Sequence, residues 1–448
     1  MNPYQNPKPQ PEAPRKEVIT TSFIELPDGR LAEMLYDPTR TPPTFFALYR
    51  EDGGNYQDRI MTPTSIIQPY PESDLLKNQV VLFPTKVEQY ASLDALKQEV
   101  QAFIHRYLDV GPFYETLATH YVLLTWVYDR LPTLPYLRAR GEEEGIGKTR
   151  FLQTIGALCY KPMLCGGATT ASSIFRLIEM YHGTLIIDEA DFPMSTDFTD
   201  IVKILNCGYS KGFPVIRNEK VGEKFIPRSY AVFGPKILAS KREFQDKNLE
   251  SRFLIKEMEP TDREDIQHLL EPSFWEEATR LRNKLLRFRF EHYHQVTVDQ
   301  SKSDRTLDHR LDQITLAFLS LSPDEAFVAG LRAFLRDYGE SLRAGRGLER
   351  EQDRLIIAAI REVWETTTDH RTLSMGSIAS KVAAMDSPIT AHMVGRIVAK
   401  RFRLEVRLYQ GRYCIVRHEA NRRRLERLAK RYYVDGAASG DLGDSGDL

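Results

Sequence analysis

Ten consecutive residues, Gly141 to Arg150, read G-E-E-E-G-I-G-K-T-R. Glycines, a lysine and a hydroxyl in that order suit the binding of a polyphosphate. Backbone N–H groups of a tight glycine turn and of a helix N-terminus converge on anionic oxygens. Lys148 would reach the outer phosphates and the Thr149 hydroxyl would hold Mg²⁺. Gly145, Ile146, Gly147 and Arg150 complete the cradle. The pattern G-x-x-x-x-G-K-[ST] asks for glycine at 142, where this chain has Glu142, with Gly141 one place early. Glu142, Glu143 and Glu144 set three carboxylates beside the phosphates, which is unfavourable unless they face water. A glycine turn before an ordinary helix is the competing explanation.

A second stretch supports the first. Thr184-Leu185-Ile186-Ile187-Asp188-Glu189 reads as a buried strand ending in two acids. Asp188 would sit on Mg²⁺ opposite Thr149, and Glu189 would polarise the attacking water. A strand that happens to end in acids is common. Both motifs in this order and at this separation point to a P-loop nucleoside triphosphatase using ATP and Mg²⁺.

The elements around these motifs alternate. Strand 135–140, helix 148–158, strand 162–165, helix 172–181, strand 184–188 and helix 197–207 predict an α/β domain with a parallel sheet between helices. The rhythm then changes. Phe213 to Arg217 and Lys224 to Ile226 flank a polar turn and read as a β-hairpin. Lys236 to Ser240 is a buried strand ending in a hydroxyl, Leu249 to Arg252 closes a helix, and Phe253 to Ile255 is the last strand. Upstream, short apolar runs broken by Pro27-Asp28-Gly29 and Glu51-Asp52-Gly53-Gly54 read as a small β domain. Leu93 to Leu108 and Phe113 to Leu131 read as helices, capped by Ser92 and opened by Pro112.

With 448 residues the chain is too long for one core. Its hydrophobic fraction of 42% is that of a globular protein, and no apolar run is long enough to span a bilayer. The four cysteines form no C-x-x-C pair, and the first residues lack a signal-peptide pattern, so a cytoplasmic protein without membrane contact is expected. The expected parts are a disordered tail (1–17), a β-rich domain (18–85), a helical segment (86–133), the ATPase core (134–260), a helical lid (261–345), a DNA-binding domain (346–434) and an acidic disordered tail (435–448).

From about residue 110 to 320 the chain resembles the AAA+ ATPases. The matching residues are Gly145, Gly147, Lys148 and Thr149; Asp188 and Glu189; Ser240 after the fourth strand, at the sensor-1 position; and Arg252 in L-E-S-R-F, at the arginine-finger position. The hairpin between the acids and Ser240 is similar to the pre-sensor-1 hairpin of superfamily 3 and MCM-type helicases. Ile204 to Tyr209, Arg217 and Phe233-Gly234-Pro235-Lys236 resemble the ATPase core of helicases carried by phages and mobile elements. The resemblance implies a homo-oligomeric ring, a hexamer, with ATP between subunits. An arginine in trans stabilises charge on the outer phosphate. Lys211, Lys220 and Lys224 on the hairpin would meet a nucleic-acid backbone in the channel. The lid would supply a second sensor arginine, Arg310, with Arg305 as the alternative.

Beyond Gly345-Arg346-Gly347, three helices and a two-stranded hairpin at Gln410-Gly411 predict a winged helix. Arg396, Lys400, Arg401 and Arg412 lead its basic face, suited to duplex phosphates. The expectation is an ATP-dependent DNA helicase or translocase of phage or mobile-element replication, working with replication proteins on single-stranded and duplex DNA. A DNA-binding initiator or regulator, assembled by ATP without unwinding, is the alternative.

Overall fold

The computed structural model describes residues 16–50, 53–188, 190, 196–244, 246–321, 324–367, 369, 371–385, 387 and 389–432. The expected acidic tail and most of the expected N-terminal tail lie outside these residues. The first described element, β1 (Glu17–Thr20), already begins inside that N-terminal stretch.

The N-terminal β elements are β2 (Phe23–Glu25), β3 (Leu31–Tyr36), β4 (Thr44–Arg50), β5 (Gly53–Gln57), β6 (Ile60–Met61) and β7 (Ser65–Gln68). Antiparallel β2-β3-β4-β5 form one sheet, and β1-β7-β6 form another. After α1 (Asp74–Lys77) come α2 (Leu93–Tyr107), whose Ala95 N–H donates to Ser92 Oγ at 3.1 Å, and α3 (Pro112–Thr125). Helix α3 is buried nearly all round, so it packs inside the unit rather than on its surface.

The central sheet is parallel and five-stranded, in the order β14-β8-β13-β10-β9. Its elements run β8 (Tyr136–Arg140), α4 (Lys148–Gly156), β9 (Met163–Cys165), α5 (Ala171–Tyr181), β10 (Leu185–Ile187), α6 (Thr196–Cys207), the hairpin β11 (Val215–Val221) and β12 (Lys224–Tyr230), β13 (Lys236–Ser240), α7 (Lys247–Glu250) and β14 (Phe253–Glu257). The strands are short apolar runs buried on both faces, as helix-covered parallel sheets require. Helices α8 (Pro272–His292) and α9 (His309–Leu321) follow.

Helix α10 (Glu325–Thr366) runs without a break through Gly345-Arg346-Gly347, where the sequence predicted a domain boundary. Each glycine costs a helix roughly 1 kcal/mol relative to alanine. Strong helix formers on both sides outweigh that cost. The chain divides into two compact units, Met1–Arg336 and Asp337–Leu448, so the N-terminal sheets, the parallel sheet and helices α8 and α9 belong to one unit. A buried ionic network joins them. Glu33 of β3 pairs with Lys161 at 3.0 Å and with Arg289 of α8, and Arg289 also holds Asp129 at 2.7 Å.

The second unit contains the rest of α10, β15 (Thr372–Ser374), α11 (Met375–Ala383), α12 (Ala391–Arg396), a π-helical turn at Ile397–Arg401, β16 (Val406–Tyr409), β17 (Arg412–Val416) and α13 (Glu419–Arg431). Its sheet has three strands, β15-β17-β16, one more than the sequence suggested. Ser374 and Thr390 cap α11 and α12, and Ile360, Ile378, Val394, Phe402 and Ile415 share its core.

The motif residues Gly208 and Phe233-Gly234-Pro235-Lys236 have a structural explanation. The buried Lys236 ammonium donates to the carbonyls of Gly208 (3.3 Å), Val232 (3.0 Å) and Gly234 (2.9 Å). A Cβ at Gly208 would lie 2.5 Å from that nitrogen, so glycine is needed there. No carboxylate accompanies it among these contacts, and burial lowers its pKa from 10.5 to about 7. Below pH 7 the lysine is protonated both folded and unfolded. Between about 7 and 10.5 the folded chain has released a proton that the unfolded chain keeps, so stability rises with pH. Urea midpoints should therefore climb from pH 7 to 9.5, and Lys236→Met should flatten that climb. Parallel profiles for the two proteins would contradict the assignment.

Candidate functional site

The candidate residues for nucleotide chemistry gather at the carboxyl edge of the parallel sheet, where open α/β sheets bind ligands. The loop after β8 carries Gly145 (φ 78°) and Gly147 (φ 89°), both in the left-handed region that favours glycine. Gly141, the glycine that sits one place early, has its own reason. A Cβ there would lie 2.3 Å from the Ile146 Cδ1 tip and 3.2 Å from the Met258 carbonyl oxygen, so a larger residue would push Ile146 aside. The side chains of Glu142, Glu143 and Glu144 are exposed, which relieves the expected repulsion.

Lys148 opens α4, and its ammonium donates to the Gly141 carbonyl (2.7 Å) and to that of Glu143. Thr149 Oγ1 donates to Asp188 Oδ2 at 2.9 Å. Asp188 is held at the end of β10, its N–H bonded to Cys165 O at 3.0 Å. Ser240 ends β13 and lines the same cleft, a cavity of about 900 Å³. Arg150 points away from the loop, donating to the carbonyls of Gln267 (2.9 Å) and His268 (2.8 Å), so it ties α4 to the segment that closes the cleft. Glu189 lies outside the described residues. A glycine turn running into a helix N-terminus with a lysine, and a hydroxyl already bonded to a carboxylate, fit a polyphosphate and a divalent cation.

Sequence reasoning missed Arg138 and Lys241. Arg138 is fully buried in β8 and donates to Ser240 Oγ (2.7 Å) and Glu250 Oε2 (2.6 Å). An arginine inside an otherwise apolar strand was the available signal, because a buried cation demands an acid. Lys241 bridges to Glu144 at 2.8 Å across the cleft mouth.

Arg252 and Arg310 are not in this cleft. Arg252 precedes β14 at the opposite, amino edge of the sheet, its carbonyl bonded to Tyr136 N. It is buried, donates to Asn206 Oδ1 and Asn248 O, and lies 4.4 Å over the Tyr209 ring. Arg310 shares the Asn248 carbonyl (2.9 Å) and also donates to Ser251 Oγ (2.8 Å). Arg310 therefore stands beside Arg252, away from the glycine loop that bears Lys148. Arg305, the alternative, lines a separate cavity with Asp304, His309 and Asp312.

Lys211 precedes the hairpin instead of riding on it. Its N–H bonds Pro132 O and its ammonium donates to Asp129 O. Lys220 pairs with Phe225 and Lys224 with Val221, which puts the two lysines on opposite faces of the hairpin. One face is docked: Arg217 pairs with Asp200 of α6, and Arg228 with Glu179 of α5 at 3.0 Å. The other face is exposed, with Lys220 between Ile216 (69%) and Phe225 (71%).

In the second unit Arg396 and Arg412 are exposed, with no ion-pair partner among the described residues. Arg401 is committed to the buried Asp353 carboxylate at 2.8 Å, so part of its role is structural. Lys400, whose side chain lies outside the described part, sits in the π-helical turn.

No protein-family model matches the chain, and no curated protein is similar to it in sequence. Among solved structures, the apo NrS-1 C-terminal region aligns at 10% identity over 86% of this chain and 96% of that one, with a TM-score of 0.32. A full-length MCM homolog from Methanopyrus kandleri aligns at 12% identity over 66% of this chain and 74% of its own, with a TM-score of 0.34. Overlap this low leaves fold and site to be argued from the chain's own geometry. No helix among the described residues is long and apolar enough to cross a membrane.

Arg138→Met should leave the Glu250 carboxylate buried with one charged partner fewer and lower stability by about 3 kcal/mol. Chemical denaturation reads this. The double variant Arg138→Met, Glu250→Leu should recover much of the loss, and failure to recover would mean that Arg138 acts through packing alone.

Proposed function

We propose that this chain hydrolyses ATP in a homo-oligomeric ring and couples that hydrolysis to movement along single-stranded DNA. It would serve as a cytoplasmic helicase or translocase in phage or mobile-element replication. The observation that carries this reading is the Thr149–Asp188 hydrogen bond beneath a glycine loop bearing Lys148. Mg²⁺ held by Thr149 and Asp188 would neutralise charge on the phosphates. Lys148 would exchange its two loop carbonyls for phosphate oxygens, and Glu189 would orient water. Ser240, held by Arg138, offers a hydroxyl at the same edge.

Arg252 and Arg310 share one platform at the far edge of the sheet, which suits work on a neighbouring subunit's nucleotide. Mixing Arg252→Ala with Lys148→Ala subunits, each inactive alone, should restore part of the ATP turnover at hybrid interfaces. Full turnover by Lys148→Ala alone would sink the enzyme reading. Strict monomers with ATP and DNA present would sink the ring.

The second unit has the element order of a winged helix, with Arg396 and Arg412 free for duplex phosphates. Arg396→Ala with Arg412→Ala should weaken duplex binding and flatten its salt dependence while leaving ATP turnover intact. Lys220→Ala with Lys224→Ala should do the reverse, sparing duplex binding while uncoupling turnover from strand separation. Unwinding at the parental rate by the hairpin variant would remove the hairpin from the mechanism.

A further inference from the structure

The acid-rich loop after β8 faces a lysine that follows β13. Glu144 stands in the phosphate loop, four residues before Lys148, and its side chain is 85% exposed. Lys241 follows Ser240, the last residue of β13, and β13 lies beside β8 in the sheet. The Lys241 ammonium crosses to the Glu144 carboxylate at 2.8 Å. Both residues line the cleft that holds Lys148, Thr149 and Asp188. Lys241 and, more weakly, Lys148 hold the Glu144 carboxyl below the usual range. An oxygen anion therefore already sits under the influence of both lysines.

The charges around the cleft sharpen the point. Arg150 is committed to the carbonyls of Gln267 and His268, and Arg263 to Asp265 and the His105 carbonyl. Lys148 donates to the Gly141 and Glu143 carbonyls and Lys241 pairs with Glu144, so both ammonium groups of the cleft touch the loop itself. A nucleoside triphosphate brings several negative charges into a cleft also lined by acids, and one lysine offsets few of them.

We propose that Lys241 is a second phosphate-binding residue, paired with Glu144 until a terminal phosphate replaces that carboxylate. The exchange is easy because Glu144 is exposed: it moves into water without desolvation, and its ammonium partner trades one oxygen anion for another. Glu144, at a position the loop motif leaves unspecified, thus becomes a built-in competitor for the γ-phosphate. This rests on the ATP-binding reading above and adds a contact specific to the third phosphate.

The test is calorimetric binding, with Mg²⁺, of a non-hydrolysable ATP analogue and of ADP to the full chain. Lys241→Ala should weaken the analogue about tenfold while changing ADP binding little. Lys241→Arg should retain most of the preference. Glu144→Gln should tighten the analogue, and most of that gain should vanish in a Lys241→Ala background. Equal losses for analogue and ADP, or none, would overturn the proposal and leave Lys241 as a loop anchor. Lys148→Ala serves as the separate check: if it weakens neither ligand, the nucleotide site itself fails, whatever Lys241 does.

Discussion

A charge with no access to water lies in the middle of the central sheet. Arg138 is flanked by β13 and β14 and shielded by Phe244, whose ring centroid is 4.1 Å from the guanidinium carbon. Such an ion persists only where a counter-charge and hydrogen-bond acceptors meet it. Arg138 uses its donors on Ser240, on Glu250 and on the Arg242 carbonyl. Ser240 ends the strand at the cleft, and Glu250 ends the short helix before Arg252. One guanidinium thus fixes the hydroxyl at one edge of the sheet and the arginine-bearing turn at the other. Arg140, two residues on, reaches Glu250 at 3.1 Å and Glu257, which draws β14 into the same system.

The second network works between parts that the sequence suggested were separate. Glu33 belongs to the N-terminal sheet, Lys161 to the turn after α4, and Arg289 to the lid. Tyr160 adds a hydroxyl to Glu33 at 2.8 Å, and Arg289 also takes the Trp126 carbonyl. Removing one ion from such a group leaves others buried and unmatched, so the parts are bound to one another cooperatively. The β domain is thereby part of the body that carries the phosphate loop.

The hairpin shows a division of labour between its faces. Ion pairs from Arg217 and Arg228 hold it to α6 and α5, the helices that precede and follow β10. Those helices frame Asp188, so the hairpin is mechanically connected to the candidate metal ligand. The opposite face keeps Ile216, Lys220 and Phe225 in water.

Much of the architecture was legible in the sequence, for a physical reason. Strand and helix periods, caps such as Ser92, Ser374 and Thr390, and the glycine loop are local, so they are written in consecutive residues. The strand–loop–helix bearing Lys148 and Thr149, and the acid after β10, needed no tertiary information. Gly345 and Gly347, read from the sequence as a boundary, sit inside a helix because the strong helix formers on both sides outweigh the cost of two glycines. What only the tertiary structure decided are partnerships across long separations. Arg138 with Glu250, Lys241 with Glu144, Glu33 with Arg289, and Arg310 beside Arg252 each join residues far apart in the chain. The residue types announced that partners were needed, but a charge seeks the nearest counter-charge in space. The strand order β14-β8-β13-β10-β9 decides it for Arg138 and Lys241, and the packing of the N-terminal sheet, α8 and α9 decides it for Glu33 and Arg310.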